Sequence, residues 1–240
     1  MAFDIQKMLA DYNALQKEQE QKDFIKKTKK HLAIYEKNIS IEDIELGDTV
    51  YNFVFNHHKL SAIMGPVGSG KSVGCIVKIF VDAQCAEKGN GGIRRTKYLV
   101  VRTTRVKLQS TTIKTFMQWL GKYGHYEKSK MTFHMKFNDV ECEVVFLALD
   151  TEKDVDKLLS LECTGIYFNE LDGILPEIWE TALQRIGRYP SKHADGAGAY
   201  FDVEMAKMFG KILDESKTEI DEDTGEKKYQ MQCLMADTNA

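Results

Sequence analysis

Apolar positions recur at helical spacing along the first 37 residues: Phe3, Met8, Leu9, Tyr12 and Leu15, then more loosely Phe24, Ile25, Leu32 and Tyr35. This predicts a charged, helix-favouring arm. Farther on, short apolar runs alternate with helical stretches. Leu60-Ser61-Ala62-Ile63-Met64 predicts a strand, and residues 73–86, with Val73, Ile76, Val77, Ile79, Phe80 and Val81, a helix. Residues 38–59 read as a linker carrying one short strand, Val50-Tyr51-Asn52-Phe53-Val54-Phe55. Residues 88–92 predict a turn, 98–102 a buried strand and 108–123 a helix. Residues 131–137 and 141–147 alternate on either side of Asn138-Asp139, the pattern of a hairpin. Residues 152–160 predict a helix, 164–169 a third buried strand and 176–186 another helix. A glycine-containing loop at 195–199, a helix within 204–217, an acidic turn at 221–226 and a final strand at 231–236 complete the chain. No internal repeat is present. Strands alternating with helices predict an α/β fold: a mainly parallel sheet with helices on both faces. The expected organisation is an N-terminal helical arm, 1–37, and one domain, 38–240.

At 240 residues and 43% hydrophobic, the chain can bury a full core. A net charge of −3 is no nucleic-acid signature, so any DNA contact falls to a local patch or to other subunits. Lys26, Lys27, Lys29, Lys30 and His31 form a cluster able to touch DNA phosphates, but the solvated face of a helix is the preferred reading. The five cysteines are scattered without a C-x-x-C, which predicts buried thiols in a reducing compartment rather than disulfides or zinc. No run of 18 apolar residues exists and the N-terminus is too polar for a signal peptide. The expectation is a soluble, cytoplasmic protein with no membrane partner.

Candidate chemistry begins at Gly65-Pro66-Val67-Gly68-Ser69-Gly70-Lys71-Ser72, a complete G-x-x-x-x-G-K-S sequence between a predicted strand and a predicted helix. Glycines let successive backbone N–H groups converge on one anion at the positive end of the helix. Lys71 is expected to reach the β- and γ-phosphates and Ser72 to hold Mg²⁺, with Val73 closing the loop. The flanking strand and helix argue against a chance match in a flexible loop.

A loop that hydrolyses ATP needs an acid at the end of a neighbouring strand. Ile166-Tyr167-Phe168-Asn169-Glu170 is the best candidate, 99 residues beyond Lys71. Asn169 then takes the position usually held by a magnesium-linked Asp, and Glu170 acts as the base that polarises water. The plainer alternative is that the two residues cap the element beyond. Asp150 also ends a strand and competes, and Asp172 is a third choice. Arg185 and Arg188 follow the proposed catalytic strand by one helix and are candidates to touch phosphate, in their own site or a neighbour's, or else form surface ion pairs. Arg102 and Arg105 allow nucleotide or DNA contact or a loop ion pair, and Lys157 is a weaker source of trans-acting charge.

Taken in order, five stretches resemble the ATPase half of the large terminase subunit of tailed bacteriophages, a DNA-packaging motor. They are the phosphate loop; Val101-Arg102-Thr103-Thr104 with Leu108-Gln109-Ser110-Thr111-Thr112; Leu149-Asp150 with Asp156-Lys157-Leu158; residues 165–170 with Gly187-Arg188-Tyr189-Pro190-Ser191; and Ala236-Asp237-Thr238-Asn239. The resemblance implies a P-loop NTPase fold of the ASCE/RecA-like type. Thr238 and Asn239 match a coupling motif that senses the γ-phosphate. It further implies ATP and Mg²⁺ as cofactors and double-stranded DNA, a portal protein and a small terminase subunit as partners. Assembly as a homo-oligomeric ring of about five subunits in the infected host's cytoplasm is also implied. Asn169 departs from the family's usual Asp, which leaves direct metal contact open. Family members continue into a nuclease domain that these 240 residues do not include, so an excised ATPase fragment without DNA cutting is expected. Two alternatives stand beside this motor: another RecA-like DNA-dependent ATPase such as a helicase, or a nucleotide-binding regulatory module with little turnover.

Overall fold

Period-two alternation on the central strands decides the architecture. Tyr98, Val100, Tyr167 and Met235 are buried on one face of a sheet, and Leu99, Val101, Ile166, Phe168, Leu234 and Ala236 on the other. Strands apolar on both sides demand cover on both sides. A computed structural model of the chain describes residues 46–149, 151, 154–222 and 224–239. The arm expected at 1–37, its basic cluster and the candidate Asp150 lie outside the described residues.

The elements run α1 (Asp48–Phe55), β1 (Leu60–Gly65), α2 (Lys71–Gln84), β2 (Arg94–Arg102) and α3, which joins Arg105–Lys107, a π-helical segment Leu108–Thr112 and Ile113–Leu120. Then come β3 (Gly124–Glu127), β4 (Thr132–Phe137), β5 (Val140–Ala148), α4 (Val155–Leu159), β6 (Gly165–Asn169) and α5 (Pro176–Leu183). The remainder is α6 (Lys192–Asp195), β7 (Tyr200–Phe201), α7 (Val203–Met208), β8 (Thr218–Ile220), β9 (Lys227–Gln230) and β10 (Cys233–Asn239). Seven strands form the main sheet in the order β1-β10-β6-β2-β5-β4-β3. From β1 to β5 all pairs are parallel, and β4 and β3 extend the edge antiparallel. α1, α2 and α3 contribute Val54, Ile76, Phe80 and Phe116 to the core on one face; α4 and α5 contribute Leu158, Ile178 and Ala182 on the other. The last strand of the chain therefore sits between the strand that leads into the phosphate loop and the strand that ends at Asn169. This is the P-loop NTPase arrangement of the ASCE/RecA-like type.

Three expectations change. Residues 50–55 form helix α1 rather than a strand. Val50 and Val54 lie one helical turn apart and pack with Phe55 on α2, a tertiary contact that overrides their β propensity. The fit is close, because a Cβ at Gly74 would lie 2.6 Å from Val50 Cγ1. The helix expected within 204–217 ends at Met208, and Gly210 follows with φ +73°. A small antiparallel sheet, β7-β9-β8, was not evident in the sequence because its strands are only two to four residues long, too short to show a period. All five cysteines are free and buried, as their apolar surroundings suggested.

A buried charge cluster ties α1 and α2 to the segment after α7. Lys211 pairs with Asp82, both fully buried, and also donates to the Val54 carbonyl at 3.1 Å. Lys78 donates to the carbonyls of Val54 and Asn56 at 3.2 and 3.0 Å. His57, Asp82 and Cys233 bring possible ligand atoms within 4.8 Å of one another. The Lys211 ammonium already occupies the carboxylate there, which argues for an internal ion pair rather than a metal. No helix among the described residues is long and apolar enough to cross a membrane.

Candidate active site

The phosphate loop connects β1 to α2, and its backbone geometry explains its glycines. Gly68 and Gly70 have φ of +82° and +81°, a region that side chains resist. Gly70 is the residue before the first turn of α2, so the loop delivers its N–H groups and the helix N-terminus to one point. Lys71 is buried and folds back over the loop, donating to the carbonyls of Gly65 and Pro66 at 2.7 Å each.

Beside the loop is an open cavity of about 320 Å³. Residues 67–73 line one side, and Glu170, Asp237, Thr238 and Asn239 the other. Three segments far apart in sequence thus meet at the C-terminal ends of β1, β10 and β6, because parallel strands present these ends together. Asp172 accepts a hydrogen bond from Thr238 Oγ1, and this bond holds its carboxyl below the usual range.

Asp237 was not singled out from the sequence. It ends the apolar run of β10 as Asn169-Glu170 ends that of β6, and the same strand-end rule would have found it. It pairs in register with Asn169 and is 2% exposed. Ser72 Oγ donates to its Oδ2 at 2.5 Å, Tyr167 Oη to Oδ2 at 2.9 Å, the Glu170 N–H to Oδ1 at 2.8 Å, and Asn169 Nδ2 to Oδ1 at 3.0 Å. Burial pushes the Tyr167 phenol well above its ordinary range, so it remains a donor.

Asn169, expected at the metal, is oriented by the same network. Its Nδ2 faces Asp237 and lies 3.5 Å from Ser72 Oγ, while its Oδ1 accepts from Thr112 Oγ1 at 2.5 Å. Thr112 in turn accepts from Arg102 Nη1 at 3.0 Å. The π-helical segment of α3 brings Thr111 and Thr112 to that arginine, and such segments often mark functional positions.

Glu170 has φ +60°, uncommon for a side-chain-bearing residue and found where surrounding contacts fix it. Those contacts are the N–H bond to Asp237 and an ion pair of Oε1 with Arg102 Nη2 at 2.5 Å. Arg102 is thus an ion-pair partner of the candidate base, and Arg105 is exposed. Lys157 pairs with Asp154.

Arg185 and Arg188 lie elsewhere. Backbone bonds join both to Cys163, before the start of β6. Seven residues of extended chain separate Cys163 from Glu170, about 20 Å. Neither arginine lines the cavity beside the phosphate loop. The oxygen donors of Ser72 and Asp237 are of the hard type that suits Mg²⁺, so the residues present fit that ion.

No protein-family model and no curated protein matches the chain. Among solved structures it is similar to the large terminase from a thermophilic bacteriophage, at 14% identity and a TM-score of 0.46 over 67% of this chain and 35% of that one. The same terminase in complex with ADP is similar at 14% identity and TM-score 0.44 over 67% of this chain and 35% of that one. Its complex with ATP-gamma-S is similar at 12% identity and TM-score 0.43 over 69% and 35%. The chain spans about a third of the length of that terminase.

Proposed function

We propose that this chain binds Mg·ATP on residues 65–72 and hydrolyses it, serving as the ATPase of a motor that moves double-stranded DNA into a viral prohead. The observation that carries the reading is the meeting of a phosphate loop with Glu170, Asp237, Thr238 and Asn239 around one cavity. Gly65, Pro66, Val67, Gly68, Ser69, Gly70 and Val73 shape the loop, whose N–H groups bind phosphate oxygens. Lys71 moves from the loop carbonyls to the β- and γ-phosphates. Glu170 accepts a proton from the attacking water, and Arg102 aims its carboxylate. Thr238 and Asn239 bond the γ-phosphate and release it after cleavage. Bound Mg²⁺ offsets phosphate charge, with Ser72 among its donors and Asn169 adjacent.

The motor role rests on the resemblance of the five sequence stretches. It carries with it a homo-oligomeric ring of about five subunits, a portal protein, a small terminase subunit and a cytoplasmic setting. Arg188, exposed and far from its own loop, is assigned to a neighbouring subunit's site, with Arg185 behind it. The test is binding of a fluorescent ATP analogue and phosphate release, with and without duplex DNA, for the wild type and Lys71→Ala. The reading expects binding lost in the variant and wild-type turnover stimulated by duplex DNA. Turnover unaffected by Lys71→Ala would sink it, and DNA-independent turnover would remove the motor role.

A further inference from the structure

We infer that the acidic group of the metal shell has moved across one strand pair: Asp237 on β10, not position 169 on β6, supplies the carboxylate that faces the metal. The inference rests on the Mg·ATP reading above. Its first support is proximity. The hydroxyl expected on the metal, Ser72 Oγ, donates to Asp237 at 2.5 Å, whereas the nearest atom of Asn169 to that hydroxyl is an amide nitrogen at 3.5 Å.

The second support is the orientation of Asn169, which its neighbours force. Asp237 bonds as an acceptor, so Asn169 turns its NH₂ toward the carboxylate. Arg102 has only donors and gives one to Thr112, which leaves the Thr112 proton free to bond Asn169 Oδ1. The one oxygen of Asn169 therefore points away from Ser72. A cation draws its ligands from oxygen lone pairs, and at this pair of positions only Asp237 offers them toward the loop.

The third support explains why Asn stands at 169. The two residues are register partners of parallel strands, with side chains on one face. A second carboxylate there would set two buried like charges in contact, at a large electrostatic cost. An amide beside a carboxylate instead forms hydrogen bonds at 3.0 and 3.1 Å. Asn169 and Asp237 thus behave as one carboxylate–carboxamide pair whose charge has a choice of two strands. Asn169 is a positioning residue that holds the Asp237 carboxylate toward Ser72.

The experiment is Mn²⁺ binding followed by electron paramagnetic resonance in the presence of ATP-gamma-S, with metal-free nucleotide affinity measured in parallel. Asp237→Asn is expected to weaken Mn²⁺ at least tenfold while metal-free nucleotide binding stays within threefold. The double swap Asn169→Asp with Asp237→Asn conserves charge and hydrogen-bonding groups, and is expected to recover Mn²⁺ affinity to within threefold of wild type. It decides the matter if Asp237→Asn alone does not fold. Wild-type Mn²⁺ affinity in Asp237→Asn, or a folded double swap that binds Mn²⁺ more than tenfold more weakly than wild type, would overturn the inference. Wild-type protein that binds no nucleotide would instead remove the Mg·ATP reading, and the inference with it.

Discussion

Replacing Lys211 with methionine isolates the charge network that anchors the helix following the phosphate loop. Lys211 and Asp82 pair in full burial, and Lys78 spends its own hydrogen bonds on the Val54 and Asn56 carbonyls. Burial alone raises the Asp82 carboxyl, but Lys211 and then Lys78 outweigh it and hold it below its ordinary value. Without Lys211 a buried carboxylate loses its direct partner, and the cheapest response is to take up a proton. At pH 7 that lies about 3 units above the usual carboxylate value, and at 1.36 kcal/mol per unit the penalty reaches about 4 kcal/mol. This agrees with the roughly 3–5 kcal/mol seen when a buried pair loses one member. The sign of the pH dependence follows. The variant's native state keeps a proton that the unfolded chain has released, so its deficit grows as pH rises above about 4. Urea unfolding should give a deficit of about 4 kcal/mol at pH 7 and about 1.5 kcal/mol at pH 5. Adding Asp82→Leu should return stability to within about 1 kcal/mol of wild type. A deficit below about 1 kcal/mol at pH 7, or one that does not change with pH, would refute this account of the network.

Other outcomes follow from single contacts. Gly70→Ala meets no steric neighbour but holds φ +81°, so it should cost about 1–2 kcal/mol in urea unfolding and weaken ATP binding through a deformed loop; wild-type ATP affinity would contradict the loop's role. Burial, then Lys211 and Lys78, depress His57 to about 3 against an upward pull from Asp82 and the Gln230 backbone. An unfolded histidine charges below about pH 6.5 while the native one stays neutral. Stability should therefore be full above that pH and fall by about 1.4 kcal/mol per unit toward pH 4, a slope that His57→Leu flattens in the same assay. Arg102→Gln frees the Glu170 carboxylate without touching the loop, so kcat should drop about tenfold with KM within threefold in steady-state phosphate release.

The sequence carried the parallel core because Tyr98–Val101, Ile166–Phe168 and Cys233–Ala236 are apolar runs that end at Arg102, Asn169 and Asp237, and the short run 60–64 leads into the phosphate loop. It did not carry α1, whose Val and Phe content suits a strand until Gly74 offers it a helix to lie on. The edge strand β3 and the small sheet lack apolar alternation, so only pairing defines them. At the site, Lys71, Ser72 and Glu170 were legible from local pattern. Asp237 was legible only as a strand-end acid; its contact with Ser72 depends on the strand order that sets β10 between β1 and β6. The same order explains the arginines. Following Glu170 in sequence by one helix says nothing about which end of the sheet the chain has returned to, and Arg185 and Arg188 return to the far end.

In the proposed mechanism Glu170, fixed at the end of β6 by Asp237 and Arg102, activates water against a nucleotide held by the phosphate loop. Glu170→Gln keeps size and hydrogen-bonding capacity and removes the base, so it separates binding from chemistry. Single-turnover hydrolysis of ATP with Mg²⁺, alongside nucleotide affinity, is the direct measurement. The account predicts affinity within threefold of wild type and a hydrolysis rate lower by about 10²–10⁴, the contribution typical of a general base. Hydrolysis by Glu170→Gln at the wild-type rate would contradict it.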